Sequence, residues 1–127
     1  MAMTVVSTRQ VGDLEAISCA WTSDGSGNQT QAIQVNGVIL RVVTDPGATA
    51  PTDNYDVTLV DDYGLDLFAA QGMNRDATAS EHFCPGLAFT DGTTTSVMPM
   101  AHKGSATLTI AAAGASKQGT VVIFLRK

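Results

Sequence analysis

DNYDVTLVDDYGLDL, residues 53–67, decides the fold class. Five of its fifteen residues are aspartates, threaded between valines, leucines and tyrosines. Tyr55, Val57 and Leu59 fall on one side of an extended chain and Asp56 and Thr58 on the other, which is the period-2 pattern of a half-buried strand. Asp61, Asp62, Tyr63 and Gly64 then supply turn residues, with Gly64 where a positive φ is needed. Residues 65–68 resume the alternation as a returning strand. The aspartates therefore read as the wet side of a β-hairpin. A calcium loop needs acids at alternate positions, a glycine and a distal glutamate, a spacing that DDYGLD lacks. Paired catalytic carboxylates need a cleft between them, and an exposed strand face offers none.

Outward from this stretch the same period recurs. MTVVSTR (3–9) is a short β-branched run. In LEAISCAWTS (14–23), Glu15, Ile17, Cys19 and Trp21 form the more hydrophobic face and are expected to meet the core. SDGSGNQT (23–30) is a loop. AIQVNGVILRVVTD (32–45) is one long strand or a hairpin, with Asn36-Gly37 between two apolar runs as the turn signal. PGATAPTDN (46–54) and TDGTTTS (90–96) read as loops. Only residues 69–83 have helical character, at most one short turn near 76–82. SATLTIAAAG (105–114) and GTVVIFLRK (119–127) read as two closing strands joined by a small-residue turn. The expectation is a single all-β domain over residues 1–127: an antiparallel β-sandwich or barrel of about eight strands, jelly-roll-like.

Composition narrows the function classes. The 127 residues carry a net charge of −5 and only 15% charged residues, against roughly 25% in an ordinary soluble domain, which suggests a surface partly covered by neighbours. Nucleic acid is a poor partner, because phosphate binding needs clustered Lys and Arg. The charge is uneven. Residues 45–91 hold nine acids and one base, Arg75, whereas residues 92–127 hold four bases and no acid. Such a chain pairs its own ends within the fold or pairs head-to-tail with copies of itself. No run approaches the 18 apolar residues of a membrane span. The first residues lack the charged and apolar regions of a secretory signal, so folding in a cytoplasm is expected.

The residues able to carry chemistry are few. Cys19 and Cys84 follow no zinc or disulfide-framework spacing and are expected to be buried thiols. His82, Cys84 and His102 would form a zinc site only with a fourth ligand. No nucleophile elbow or phosphate loop is present. No catalytic residue, metal ligand or cofactor site is assigned, and the chain is not expected to be an enzyme. In GMNRDA (72–77), Arg75 stands alone among acids. It either pins the loop by an internal salt bridge or serves an interface, where bidentate Arg–carboxylate pairs are favoured.

From YDVTL through DDYG and LDL to the Gly-Asn-Arg-Asp-type loop, the chain resembles short β-rich virion proteins of tailed bacteriophages. The C-terminal SATLTIAAAGASKQGTVVIFLRK is similar to their closing strands. The resemblance covers residues 53–78 and 104–127. It implies a capsid decoration or cement protein on the virion exterior, assembled in the host bacterial cytoplasm, that clamps neighbouring major capsid protein subunits as a homodimer or homotrimer. The expected contacts run through the 69–83 loop or the last strand, with Asn74, Arg75, Asp76 and Arg126 as the interface candidates. No catalytic residue comes with it. The alternative is a β-sandwich recognition module of a head fibre or tail component that binds a host-surface glycan or receptor.

Overall fold

A computed structural model describes residues 2–9 and 12–127. Its described residues form no helix. Eleven strands follow in order: β1 (Ala2–Arg9), β2 (Leu14–Thr22), β3 (Gln29–Gln34), β4 (Gly37–Pro46), β5 (Asp56–Val60), β6 (Glu81–Phe83), β7 (Leu87–Asp91), β8 (Thr94–Met98), β9 (Ala101–His102), β10 (Ser105–Ala111) and β11 (Gln118–Arg126). The large sheet has the order β1-β2-β11-β4-β6, with β9 also on β4. The small sheet is β3-β10-β5, and β7 and β8 pair only with each other.

The pairings are nested. Ile17 faces Ile123, Ile33 faces Ala106, Val42 faces Phe83, and the Val57 amide donates to the Gly72 carbonyl. Each of these pairs lies inside the one before it. The chain is thus one long ribbon folded back on itself, its successive strands going alternately to the large sheet (β2, β4) and the small one (β3, β5). Winding that ribbon lets β11 pair with β4 and β10 with β5, which closes the jelly-roll-like sandwich that the strand spacing predicts.

Alternation decides which residues fill it. Ile17, Cys19 and Trp21 of β2 are buried, as expected for that face, and Val121, Ile123 and Leu125 of β11 lie beside them. Val57, Leu59, Ala106, Leu108 and Ile110 of the small sheet belong to the same continuous core. Phe68 and Phe83 pack edge-on within it, with ring centroids 5.4 Å apart.

Four local expectations are corrected. Asn36-Gly37 is a corner between sheets rather than a hairpin turn, because β3 pairs with β10 and β4 with β11. Glycine is required there since a Cβ would lie 2.5 Å from the Arg126 carbonyl oxygen, at φ 145°. The side-chain oxygen of Asn36 instead accepts from the Gly104 amide. Similarly, β10 and β11 are sequence neighbours in different sheets. Residues 90–96 are no loop but the end of the β7–β8 hairpin, turned at Gly92 with φ 65°. The stretch near 76–82 makes no helical turn: Asp76 caps a bend, and β6 follows at once.

The fourth correction concerns residues 65–68. They make only one bridge, Val60 to Asp66, and then coil through positive φ at Ala69, Ala70 and Asn74. This irregular arm still follows β5, through Leu67 N–H to Leu59 O, Val57 N–H to Gly72 O and Arg75 N–H to Tyr55 O. It occupies the position of an eighth jelly-roll strand while lacking strand geometry. Eleven strands therefore stand where about eight were expected, the excess coming from short β6 and β9 and from the β7–β8 hairpin.

Candidate interaction surfaces

Four of the five aspartates of the opening stretch, Asp53, Asp56, Asp61 and Asp66, are backbone acceptors. Asp61 Oδ1 accepts from Tyr63 and Leu65 amides. Asp66 Oδ1 accepts from Leu59 and Phe68, and its Oδ2 from Ala70. Asp56 Oδ1 accepts from Asn74, and Asp53 Oδ1 from Ala77. A coiled arm leaves amides that no ladder can satisfy, and short carboxylates are the side chains best able to reach them. The wet-side reading therefore gives way to carboxylates used as structural acceptors. At Asp76 the amides of Thr78 and Ala79, with the Thr78 hydroxyl, hold the carboxyl below its ordinary range. The Asn28 and Ser26 amides do the same for Asp24.

Asn74, Arg75 and Asp76 sit together on this arm. The Asn74 amide is bound by Asp56, and the Asp76 amide donates to Glu81 Oε1 at 2.7 Å. The Arg75 guanidinium donates to the Met73 carbonyl, lies 3.5 Å from Glu81 Oε1 and rests over the Phe83 ring at 5.5 Å. It is the internal pin of the arm, joining β5 to β6. What Arg75 leaves for a partner is limited, since its side chain is 17% exposed. Arg126 is elsewhere, at the end of β11, exposed beside His102, Lys103 and Lys127. Lys127 pairs with Glu15 at 3.2 Å. Both edges of β11 are occupied, by β2 and β4, so the last strand offers a partner its side chains and not its backbone.

His82, Cys84 and His102 are spread out. His82 pairs opposite Val43 and His102 opposite Gly37, six residues along one strand or roughly 20 Å. No cluster of three His, Cys, Asp or Glu suited to a metal occurs among the described residues. Cys19 is buried as expected, but Cys84 is exposed. Burial pushes the Cys19 thiol up to about 11. A thiol reagent near neutral pH is therefore expected to modify Cys84 alone in the native protein and both cysteines after unfolding, read by mass spectrometry. Native modification of Cys19 at the rate of Cys84 would contradict this core.

In the core, Trp21 Nε1, Thr44 Oγ1 and the Tyr55 hydroxyl are buried with no hydrogen-bond partner among the described residues. Trp21 and Tyr55 lie 5.7 Å apart between centroids. Burial pushes the Tyr55 phenol up to about 12. The nearby Thr44 hydroxyl works against that shift, although no hydrogen bond of ordinary geometry joins the two.

Two surfaces are left uncovered. The β7–β8 hairpin projects from the sandwich and exposes Leu87 (49%), Val97 (61%) and Met98 (57%). At the far side of the large sheet, β1 is paired only with β2 and exposes Val5 and Val6. Neither surface is legible as apolar patches in the sequence, since a Thr-rich loop hides the first and an ordinary strand pattern the second. No family model matches the chain, and no curated protein matches it.

Proposed function

We propose that this chain is a structural virion protein that binds the outer surface of a tailed-phage capsid and stabilises it by bridging major capsid protein subunits. It acts without catalysis, as a homodimer or homotrimer on the capsid exterior, after folding in the host cytoplasm. The observation that carries this reading is the β7–β8 arm. An isolated two-stranded hairpin is marginal in water, and an exposed apolar cluster marks a contact surface. Leu87 and Met98, opposite each other on one face of this hairpin, and Val97 on its other face are therefore best accounted for by a partner that covers them. The resemblance of residues 53–78 and 104–127 to phage virion proteins is what suggests a capsid as that partner. A protein that binds the assembled shell and not its free subunits stabilises the shell by mass action over many copies.

The test is co-sedimentation of the purified protein with capsid shells, followed by heating. Saturable binding with a raised disruption temperature is the expected result, weakened at least about tenfold by the paired change Val97→Ser and Met98→Ser. Both side chains lie outside the core, so the variant's own melting temperature should not move. No binding to mature shells would overturn the reading. It would favour the glycan- or receptor-binding fibre module, for which the one supporting observation is Tyr63, 95% exposed at the tip of the Asp61–Gly64 turn.

A further inference from the structure

We propose that two copies of this chain join through β1, edge to edge and antiparallel about a two-fold axis, making one continuous sheet across the dimer. A free sheet edge presents unpaired amides and carbonyls to any other strand, and proteins ordinarily blunt it with lysine, proline, a bulge or a cover. Among the described residues β1 has none of these. Its eight residues pair with β2 in unbroken register, from Ala2 opposite Thr22 to Arg9 opposite Glu15. Residues 3–8, MTVVST, carry neither charge nor proline. The opposite flank of the same sheet ends instead in β6, a strand of only three residues that holds Glu81 and His82.

The faces of β1 are prepared for company. Met3, Val5 and Ser7 stand on the same side as Trp21, Cys19 and Ile17, the core side of β2. Met3 packs against the core, yet Val5, two residues further on, is 39% exposed. On the outer side Val6 is 53% exposed between Thr4 and Thr8. Two β-branched residues in succession thus leave one apolar side chain uncovered on each face of an open edge.

A second copy fits this edge for a reason of symmetry. An isologous two-fold contact sets each strand against itself in reverse, so its side chains must tolerate their own kind. Val opposite Val and Thr opposite Thr are favourable cross-strand pairs, whereas like charges directly opposite are destabilising. β1 is charge-free over residues 3–8 in a chain of net charge −5, so copies that repel elsewhere meet here without repulsion. A register centred on Val6 sets Val6 against Val6 and Thr4 against Thr8 on the outer face, and Val5 against Ser7 on the inner one.

This sharpens the self-association in the proposed function and rests on it, while the capsid contact is read separately. Sedimentation of the wild-type protein is expected to show a dimer at micromolar concentration. Val6→Lys places two ammonium groups near the axis and is expected to raise the dimer dissociation constant by about tenfold or more. Its melting temperature in dilute, monomeric solution should stay unchanged, because Val6 lies outside the core. Hydrogen exchange gives a second readout: amides of β1 should be protected in concentrated wild type and exchange rapidly in Val6→Lys. A monomeric wild type at high concentration would overturn the proposal. So would a dimer that survives Val6→Lys while its β1 amides exchange freely. A monomeric Val6→Lys that still co-sediments with shells would support the β1 contact and separate it from capsid binding.

Discussion

Gly72→Ala is expected to cost about 3 kcal/mol of stability, the upper range for forcing volume into a filled site. Gly72 is buried, and its carbonyl accepts the Val57 amide at 2.8 Å. A methyl group at this position would overlap the Val57 carbonyl oxygen, with the Phe68 ring 3.4 Å away on another side. Neither neighbour can yield. Val57 is held in β5 by its pairing with β10, and Phe68 is wedged against Phe83. The coiled arm must therefore lift from β5 and take Leu67 and Phe68 part of the way out of the core. Gly64→Ala is the control. Gly64 has φ 83° and nothing near its missing Cβ, so only the left-handed backbone is penalised, at about 1 kcal/mol. Urea unfolding of the two variants measures the difference. Equal midpoints would mean that the arm is not docked on β5.

The second large effect is at Asp66. Its carboxylate binds three amides, those of Leu59, Phe68 and Ala70, each at 3.0 Å. Alanine removes all three acceptors at once. An unsatisfied, partly buried amide costs about 1–3 kcal/mol, and with Ala70 close to solvent the expected total for Asp66→Ala is about 3 kcal/mol. Asparagine keeps an oxygen at the Oδ1 position for Leu59 and Phe68 and turns its NH2 towards Ala70. Asp66→Asn should accordingly lose about 1 kcal/mol. The neighbouring exposed Asp62 serves as the comparison. Faster exchange of the Leu59 and Phe68 amides in Asp66→Ala, and not in Asp66→Asn, would trace the loss to these bonds. If Asp66→Ala were as stable as Asp62→Ala, the arm would be held by apolar burial alone.

These two residues show where the carboxylates of the opening stretch matter. They are not simply solvated: the oxygens of Asp53, Asp56, Asp61 and Asp66 accept from backbone amides. The stability of the small sheet depends on an arm that is not a strand, and carboxylates replace the ladder that such an arm lacks. The same arm carries Asn74, Arg75 and Asp76, so a substitution there tests the fold before it tests any interface. The Arg75 side chain is occupied by Met73, Glu81 and Phe83, which is why the β7–β8 arm and β1 are the more informative surfaces to alter.

The division between local and global information can be followed residue by residue. Alternation along 14–22 and 55–59 told which side of each strand meets the core, and Ile17, Cys19, Val57 and Leu59 are buried accordingly. That information is local, because burial of one face forces a period of two on the strand that bears it. Partner choice is not local. Asn36-Gly37 carries the signal of a tight hairpin, yet β3 and β4 part company there, since each finds a long partner far along the chain. Nested pairing of both arms buries more apolar surface than a short hairpin could, and no window of neighbouring residues contains that comparison. The side chains divide in the same way. The pattern identified Asp66 as polar and Arg75 as isolated among acids. Only the packed arm decided that the first binds three amides and that the second turns inward, because both outcomes depend on which backbone groups the fold leaves without partners.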